Sequence, residues 1–133
     1  MGLALVERMP NLIDRQTLGK QGESLARREL ERRGYAILAT RFRTRFGEID
    51  IVCSCGGTIV FVEVKARRSL KYGSAAEAIT PWKRRRIAAM ALDYLACHDQ
   101  LNKPCRFDVV AIDAIGTERM TIRVIEDAFH VDG

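Results

Sequence analysis

The stretch from Glu48 to Lys65 constrains the fold of this chain more than any other. Two apolar segments, Glu48-Ile49-Asp50-Ile51-Val52-Cys53 and Thr58-Ile59-Val60-Phe61-Val62-Glu63-Val64-Lys65, flank Gly56-Gly57. β-Branched and aromatic residues at this density favour strands, and a Gly-Gly pair supplies the two positive-φ positions of a tight hairpin. A two-residue turn pairs Cys55 with Thr58, and counting back places Asp50 opposite Glu63 and Glu48 opposite Lys65. Side chains alternate with period two, so Val60, Val62 and Val64 share one face and Phe61, Glu63 and Lys65 the other. On the first strand Ile49, Ile51 and Cys53 oppose Glu48, Asp50 and Val52. Directly opposed residues point the same way with Cβ atoms about 4.5–5.5 Å apart, and a one-residue slip would send them to opposite faces. The turn thus predicts three carboxylates and a lysine together on one face of an apolar hairpin.

Facing carboxylates weaken a strand pair unless something compensates them. Lys65, a divalent cation or protonation would each do so. Mg²⁺ is commonly held by one or two carboxylates, with water and substrate phosphate completing the octahedron. Held there, it would polarise a phosphate and activate water, and Lys65 would orient that water or stabilise developing charge. A solvated sheet face with Glu–Lys cross-strand pairs accounts for the same pattern without chemistry.

The rest of the chain supplies layers for this hairpin. At 133 residues it fits one domain, predicted over 14–133 behind a loose arm of 1–13. A helix is expected from Asp14 or Thr17 to about Arg33, with Leu18, Leu25, Ala26 and Leu30 on one face. Gly19 and Gly22 allow close packing there, and Gly34 ends the helix. Tyr35 to Ala39 reads as a strand. Residues 66–73 form a basic loop, and 74–79 a short helix. Thr80-Pro81 is a hydroxyl cap followed by proline at the first helical position, opening a helix to about His98. Its apolar face holds Ile87, Met90, Ala91, Tyr94 and Leu95. Asn102-Lys103-Pro104 breaks it, and Arg106–Ile112 and Thr121–Ile125 are closing strands. The order α-β-β-β-α-β-β predicts an α/β layered domain with a mixed sheet.

Lys plus Arg number 22 against 17 Asp plus Glu, a formal net charge of +5 that favours polyanionic partners. The cations bracket the hairpin. Arg41, Arg43 and Arg45 precede it, Arg67, Arg68 and Lys71 follow it, and Lys83, Arg84, Arg85 and Arg86 open the second long helix. Phosphate-tracking residues are expected to lie this way, and Phe42, Phe46, Tyr72 and Trp82 among them are able to stack on bases. Each charge run also reads as an ordinary solvated face, each aromatic as a core residue, and Arg106 with Asp108 as a structural pair at the sheet edge. No run nears the ~18 apolar residues that span a bilayer, and the start is too soon charged for a secretory signal, so the expectation is a cytoplasmic protein without membrane partners. Cys53, Cys55, Cys97 and Cys105 do not have the usual spacing of zinc knuckles, and reduced thiols are the preferred reading.

Asp50 with Glu63-Val64-Lys65 resembles the PD-(D/E)xK core of restriction-endonuclease-like proteins. A wider set extends the likeness from Gly19 to Ile125: Gly19-Lys20-Gln21-Gly22-Glu23, Gly34-Tyr35, Gly47-Glu48-Ile49-Asp50, Phe61 to Arg67, Gly73, Lys83 and Arg106-Phe107-Asp108-Val109. Together these resemble the YraN-like family of small bacterial proteins, which is similar in predicted fold to archaeal Holliday-junction resolvases. The resemblance implies a restriction-endonuclease-like three-layer α/β/α domain with a central mixed sheet. It implies Asp50, Glu63 and the Val64 carbonyl as ligands of Mg²⁺ or Mn²⁺, Lys65 as the catalytic lysine and Glu23 as an accessory acid. Glu23 also reads as a first-turn glutamate favoured by the helix dipole. Glu48 fits the family but not the general nuclease core. Ala66 stands where relatives often carry threonine, and no glutamine follows shortly after Lys65; Lys83 is placed to occupy that neighbourhood. The implied activity is metal-dependent cleavage of DNA, at branched or non-B structures, by a homodimer on analogy with nucleases of this fold. A nucleic-acid-binding module that keeps the fold without cutting, and an interaction protein whose hairpin charges are structural, are the alternatives.

Overall fold

The computed structural model describes residues 10–68 and 79–131, with side chains from residue 17 onward. The elements are α1 (Pro10–Arg32), β1 (Ala36–Thr44), β2 (Gly47–Cys55), β3 (Thr58–Ala66), α2 (Pro81–Cys97), β4 (Cys105–Asp113) and β5 (Thr121–Ile125). The expected order holds. Helix α1 starts at Pro10, inside the stretch expected as a loose arm. Proline suits a first helical turn, because its φ is preset and the N–H it lacks would be unpaired there anyway. Strand β1 runs on past Ala39 to Thr44, so Arg41 and Arg43 lie in the sheet rather than in a connecting segment. The expected short helix over 74–79, and Lys71, Tyr72 and Gly73, fall outside the described residues, apart from the buried Ile79.

The five strands form one mixed sheet in the order β1-β2-β3-β4-β5. Only the β3–β4 pair is parallel, with α2 on the crossover between them. Thr80 caps α2 as its sequence predicts, its hydroxyl accepting from the Lys83 N–H at 3.2 Å. Gly56 and Gly57 have φ of 57° and 87°, and Cys55 pairs with Thr58. The two-residue turn and its register are therefore as read from the sequence, from Cys55↔Thr58 back to Ile51↔Val62.

The helices cover opposite faces. Ala26 and Leu30 of α1 pack with Ile51, Cys53, Val60, Val62, Val110 and Ile112. Ile87, Met90, Tyr94 and Leu95 of α2 pack with Val52, Phe61 and Val109. Ile49 joins the α2 side with Val52, not the face of Ile51 and Cys53, so the expected two-residue alternation breaks at Asp50. The cause is local backbone irregularity beside Asp50. Arg41, between the paired Thr40↔Ile51 and Phe42↔Ile49, takes a left-handed φ of 51°, which a non-glycine residue adopts at a cost. A second irregularity lies earlier in β1, where the register shifts between Ile37 and Ala39 and leaves Leu38 exposed.

Gly22 is where α1 touches the sheet. A Cβ there would stand 3.0 Å from the Ala66 Cβ and 3.7 Å from Val64 Cγ1, whereas one at Gly19 meets nothing within 4 Å. Gly22→Val should cost about 1–3 kcal/mol by pushing α1 off β3. Gly19→Ala should gain up to about 1 kcal/mol from helix propensity. Urea unfolding of the two variants checks both signs.

Candidate functional site

The β2–β3 ladder stops at Ile51↔Val62, one residue before Asp50 and Glu63 would meet. Beyond that point the Asp50 carboxylate takes over the role of the neighbouring strand. Its Oδ2 accepts the Val64 N–H at 2.8 Å. The strands thus fork at Asp50, and a pocket of about 260 Å³ opens on the α1 side, lined by Leu18, Gly19, Gly22, Glu23, Asp50, Val64, Lys65 and Ala66. Small residues on α1 make this space, and the helix itself brings Glu23 to it.

Glu63, the next acid, points toward α2. Its Oε1 lies 2.7 Å from Lys83 Nζ and 3.9 Å from Lys65 Nζ. Lys83 stands in the first turn of α2, where a cation opposes the helix dipole unless an anion faces it. Glu63 is that anion. Around these groups Asp50 is pushed up to about 7, first by burial, then by the charge of Glu63, with Glu23 adding to the shift. The Val64 N–H bond and the charge of Lys83 pull it back only in part. Lys65 is lowered, by burial first and by the adjacent Lys83, against the pull of Glu63 and Asp50. Burial also works against the charge on Lys83, but its bonds to Glu63 and Lys65 outweigh that and leave its pKa raised. The outcome is an Asp50 carboxyl that resists ionising near Glu63, beside two lysines of unequal basicity.

The structure brings together Asp50, Glu63, Lys65 and Val64, with Glu23 at the pocket rim. Glu23 is held by Arg41, whose Nε lies 2.7 Å from Glu23 Oε2. It does not bring in Glu48. With the β2–β3 ladder ended at Ile51, the expected Glu48–Lys65 opposition is not formed. Glu48 instead faces Arg43 across β1–β2, accepting from its Nη2 at 2.8 Å. Among the described residues no group of three or more His, Cys, Asp or Glu side chains is clustered to hold a metal ion.

The basic residues divide. Arg41, Arg43 and Arg45 each face an acid, the last at 3.8 Å from Asp93. Lys83 belongs to the site, not to a surface track. Arg84 donates to the Ile79 carbonyl and lies over Phe129, which gives it a structural part, while Arg85 is exposed and Arg86 lies over Trp82. Arg67 and Arg68 both have partners, and Lys71 is outside the described residues. Among the aromatics, Phe42 is a core residue, edge-on to Tyr94 at 5.0 Å, whereas Trp82 and Phe46 are exposed. The four cysteines are free thiols, and burial pushes Cys53 up to about 12. Two contacts escaped sequence reasoning: the Lys83–Glu63 pair and the Arg41–Glu23 clamp. For the first, Lys83 was expected in this neighbourhood but not as the partner of Glu63, and the unbalanced cation in the opening turn of α2 was the available signal. For the second there was none, because it depends on how α1 crosses β1.

The chain is 52% identical over 119 residues to a UPF0102 protein of Roseiflexus castenholzii, covering 89% of this chain and 95% of that one. It is 48% identical over 113 residues to one of Syntrophus aciditrophicus, covering 85% and 88%. Against the UPF0102 protein STH1475 of Symbiobacterium thermophilum the identity is 45% over 113 residues, covering 85% and 96%. The model of the uncharacterised protein family UPF0102 matches residues 22–112, a span that holds Glu23, Asp50, Glu63, Lys65, Lys83 and Asp108, and the chain belongs to that family.

Proposed function

We propose that this protein is a divalent-metal-dependent endonuclease, of restriction-endonuclease-like fold, that hydrolyses DNA phosphodiester bonds. The observation that carries the reading is Asp50: a half-buried carboxylate at a strand fork, pushed up to about 7, beside Glu63 and Lys65. Perturbed acids of this kind concentrate at functional sites.

A divalent metal suits the donors present. Asp50 and Glu63 offer hard carboxylate oxygens whose mutual repulsion a cation would relieve. The Val64 carbonyl is a third donor. In an antiparallel pair the N–H and C=O of one residue leave the same side of a strand, and the Val64 N–H already points at Asp50. Two side-chain acids fall short of a three-acid cluster but match the usual Mg²⁺ pattern, in which water and phosphate complete the shell. Mg²⁺ or Mn²⁺ held by these groups would supply Lewis-acid polarisation of the scissile phosphate. The chain's own residues do the rest. Lys65, with its lowered pKa, orients the attacking water and exchanges a proton at Nζ. Lys83 holds Glu63 in place, and Arg41 fixes Glu23 at the rim, where its carboxylate orients groups entering the pocket.

The test is a panel of duplex, junction, flap and RNA substrates incubated with Mg²⁺, Mn²⁺ or chelator. Cleavage is expected with metal only, and lost in Glu63→Gln and Lys65→Met. Wild-type preparations that cut none of the panel would overturn the reading.

A second reading has its own support. Lys83 already neutralises Glu63 at 2.7 Å, which suits a binding module that keeps the fold without cutting. That reading expects salt-dependent nucleic-acid binding that survives Glu63→Ala, with no cleavage in either protein. Among the described residues no helix is long and apolar enough to cross a membrane.

A further inference from the structure

Trp82 and Phe46 are two of the few large apolar side chains left open to solvent, at 62% and 40% exposure. They come from different elements, Trp82 from the first turn of α2 and Phe46 from the β1–β2 turn. Arg86 joins them. Its Cζ lies 5.1 Å from the centre of the Trp82 ring and 4.0 Å from where a Gly47 Cβ would stand, next to Phe46. Arg45 lies over the Phe46 ring at 4.9 Å. Each exposed ring therefore carries a guanidinium near one face. Arg86 makes no ion pair among the described residues; its Nε is buried without a hydrogen-bond partner, and the half-buried residue as a whole is not closed to solvent. Lys83, one residue along the first turn of α2 from Trp82, reaches Glu63, so the rings stand within one helical turn of the site.

We propose that Trp82 and Phe46, with Arg86 and Arg45, form a stacking platform for unpaired nucleotides beside the cleaved phosphate. A stacked base needs an open π-face, and its phosphate needs a nearby cation; a ring backed by a guanidinium provides both. A paired base inside a duplex offers neither ring face, so the platform selects substrates with a single-stranded arm next to the cut. An apolar protein partner would not call for guanidinium groups at both rings; Arg45 also faces Asp93, but Arg86 has no acidic partner among the described residues, and that cation favours a polyanion. The proposal rests on the nuclease reading for the site it adjoins, but its test does not need cleavage.

Trp82 is the chain's sole tryptophan, so emission excited at the red edge, beyond tyrosine absorption, reports on it alone. In chelator, the full chain is titrated with an oligo-dT of about 12 nucleotides, within the usual site size of a single-strand groove. A blunt duplex and a duplex with a single-stranded arm are titrated in parallel. The oligo-dT and the armed duplex should quench Trp82, and the blunt duplex should not. By anisotropy of labelled oligo-dT, Trp82→Ala should weaken binding about tenfold or more, and Trp82→Phe should restore most of it. Blunt-duplex affinity should change about twofold or less in both variants, in keeping with phosphate-led binding. Emission unmoved by every oligonucleotide, as a protein-docking face would show, would overturn the proposal. So would equal losses for single strand and duplex. Quenching without any cleavage in the metal panel would sink the nuclease reading and leave the platform standing. Metal-dependent cleavage by the wild type, with Trp82 quenched by neither the oligo-dT nor the armed duplex, would sink the platform alone.

Discussion

Asp50→Asn is expected to lose metal-dependent cleavage by at least about 10³-fold and, in the same protein, to raise the melting temperature by several degrees. The two effects share one cause. Burial and the charges of Glu63 and Glu23 push Asp50 up to about 7, while an unfolded aspartate titrates near its ordinary value of about 4. The folded state therefore binds the Asp50 proton more tightly than the unfolded state. That contribution to stability is fully present below about pH 4 and is lost as pH rises through 7. Above pH 7 an ionised Asp50 burdens the fold. Asparagine removes the charge and keeps an oxygen to accept the Val64 N–H, so the strand fork survives. After allowing for partial exposure, the gain should be on the order of 1–3 kcal/mol at pH 8 and should vanish toward pH 4. Thermal melts of the two proteins across that range, alongside cleavage assays, check both halves. A neutral variant that melted lower at pH 8 would mean that the carboxylate is compensated and no reservoir for catalysis. Millimolar Mn²⁺ should raise the melting temperature of the wild type and leave Asp50→Asn unmoved.

Asp108→Ala should have the largest effect on stability, a loss of about 3–5 kcal/mol. Asp108 is fully buried near the start of β4 and accepts four hydrogen bonds. Arg106 donates twice, from Nε at 3.0 Å and from Nη2 at 3.2 Å. The Tyr35 hydroxyl donates at 3.2 Å and the Asp127 N–H at 3.0 Å. Arg106 Nη2 also donates to the Tyr35 hydroxyl at 2.8 Å, closing the network. Burial and the charge of Asp108 hold the Tyr35 hydroxyl far above its ordinary pKa, so it stays protonated as a donor. Removing the carboxylate leaves Arg106 Nε and the Asp127 N–H without an acceptor; the Tyr35 hydroxyl keeps only Glu126 at 3.1 Å, and the half-buried guanidinium keeps the Tyr35 oxygen and, as its nearest acid, Glu126 at 3.9 Å. For a domain whose total stability is of order 5–15 kcal/mol, much of the population would unfold under mild denaturant. Urea titration followed by far-UV dichroism measures it. Asp108→Asn, which keeps one acceptor, should lose clearly less.

The centre of the site was legible because a hairpin is local. Gly56-Gly57 sets the turn, and the turn sets the register as far as Ile51↔Val62, which brings Asp50 and Glu63 to the end of the same ladder with no reference to the rest of the fold; their direct opposition was expected and is not formed. Thr80-Pro81 likewise announced where α2 begins. Errors arose where a second element intervenes. Glu48 was expected opposite Lys65 on the assumption that the ladder continues. In fact the Asp50 carboxylate intercepts the Val64 N–H, and β1 runs far enough to give Glu48 a partner in Arg43. The left-handed backbone at Arg41 has no sequence marker, because glycine is the residue that would have signalled it. The role of Lys83 depended on the angle at which α2 returns to the sheet. That angle is decided by Ile87, Met90 and Tyr94 meeting Val52 and Phe61.

The parallel pairing of β3 with β4 bears on how the molecule assembles. Ile59 and Cys105 lie about 46 residues apart, and α2 must dock between them in sequence before that ladder can close. The β2–β3 hairpin closes over two glycines, a microsecond event, whereas the distant pairing must first meet the cost of a large loop. Asp50 and Glu63 are therefore brought together early, ahead of the lysine from α2. On the folding route the acids meet with Lys65 as their only nearby counter-charge, before Lys83 arrives. Refolding should accordingly be faster in weakly acidic buffer than at pH 8, and Asp50→Asn should erase that difference.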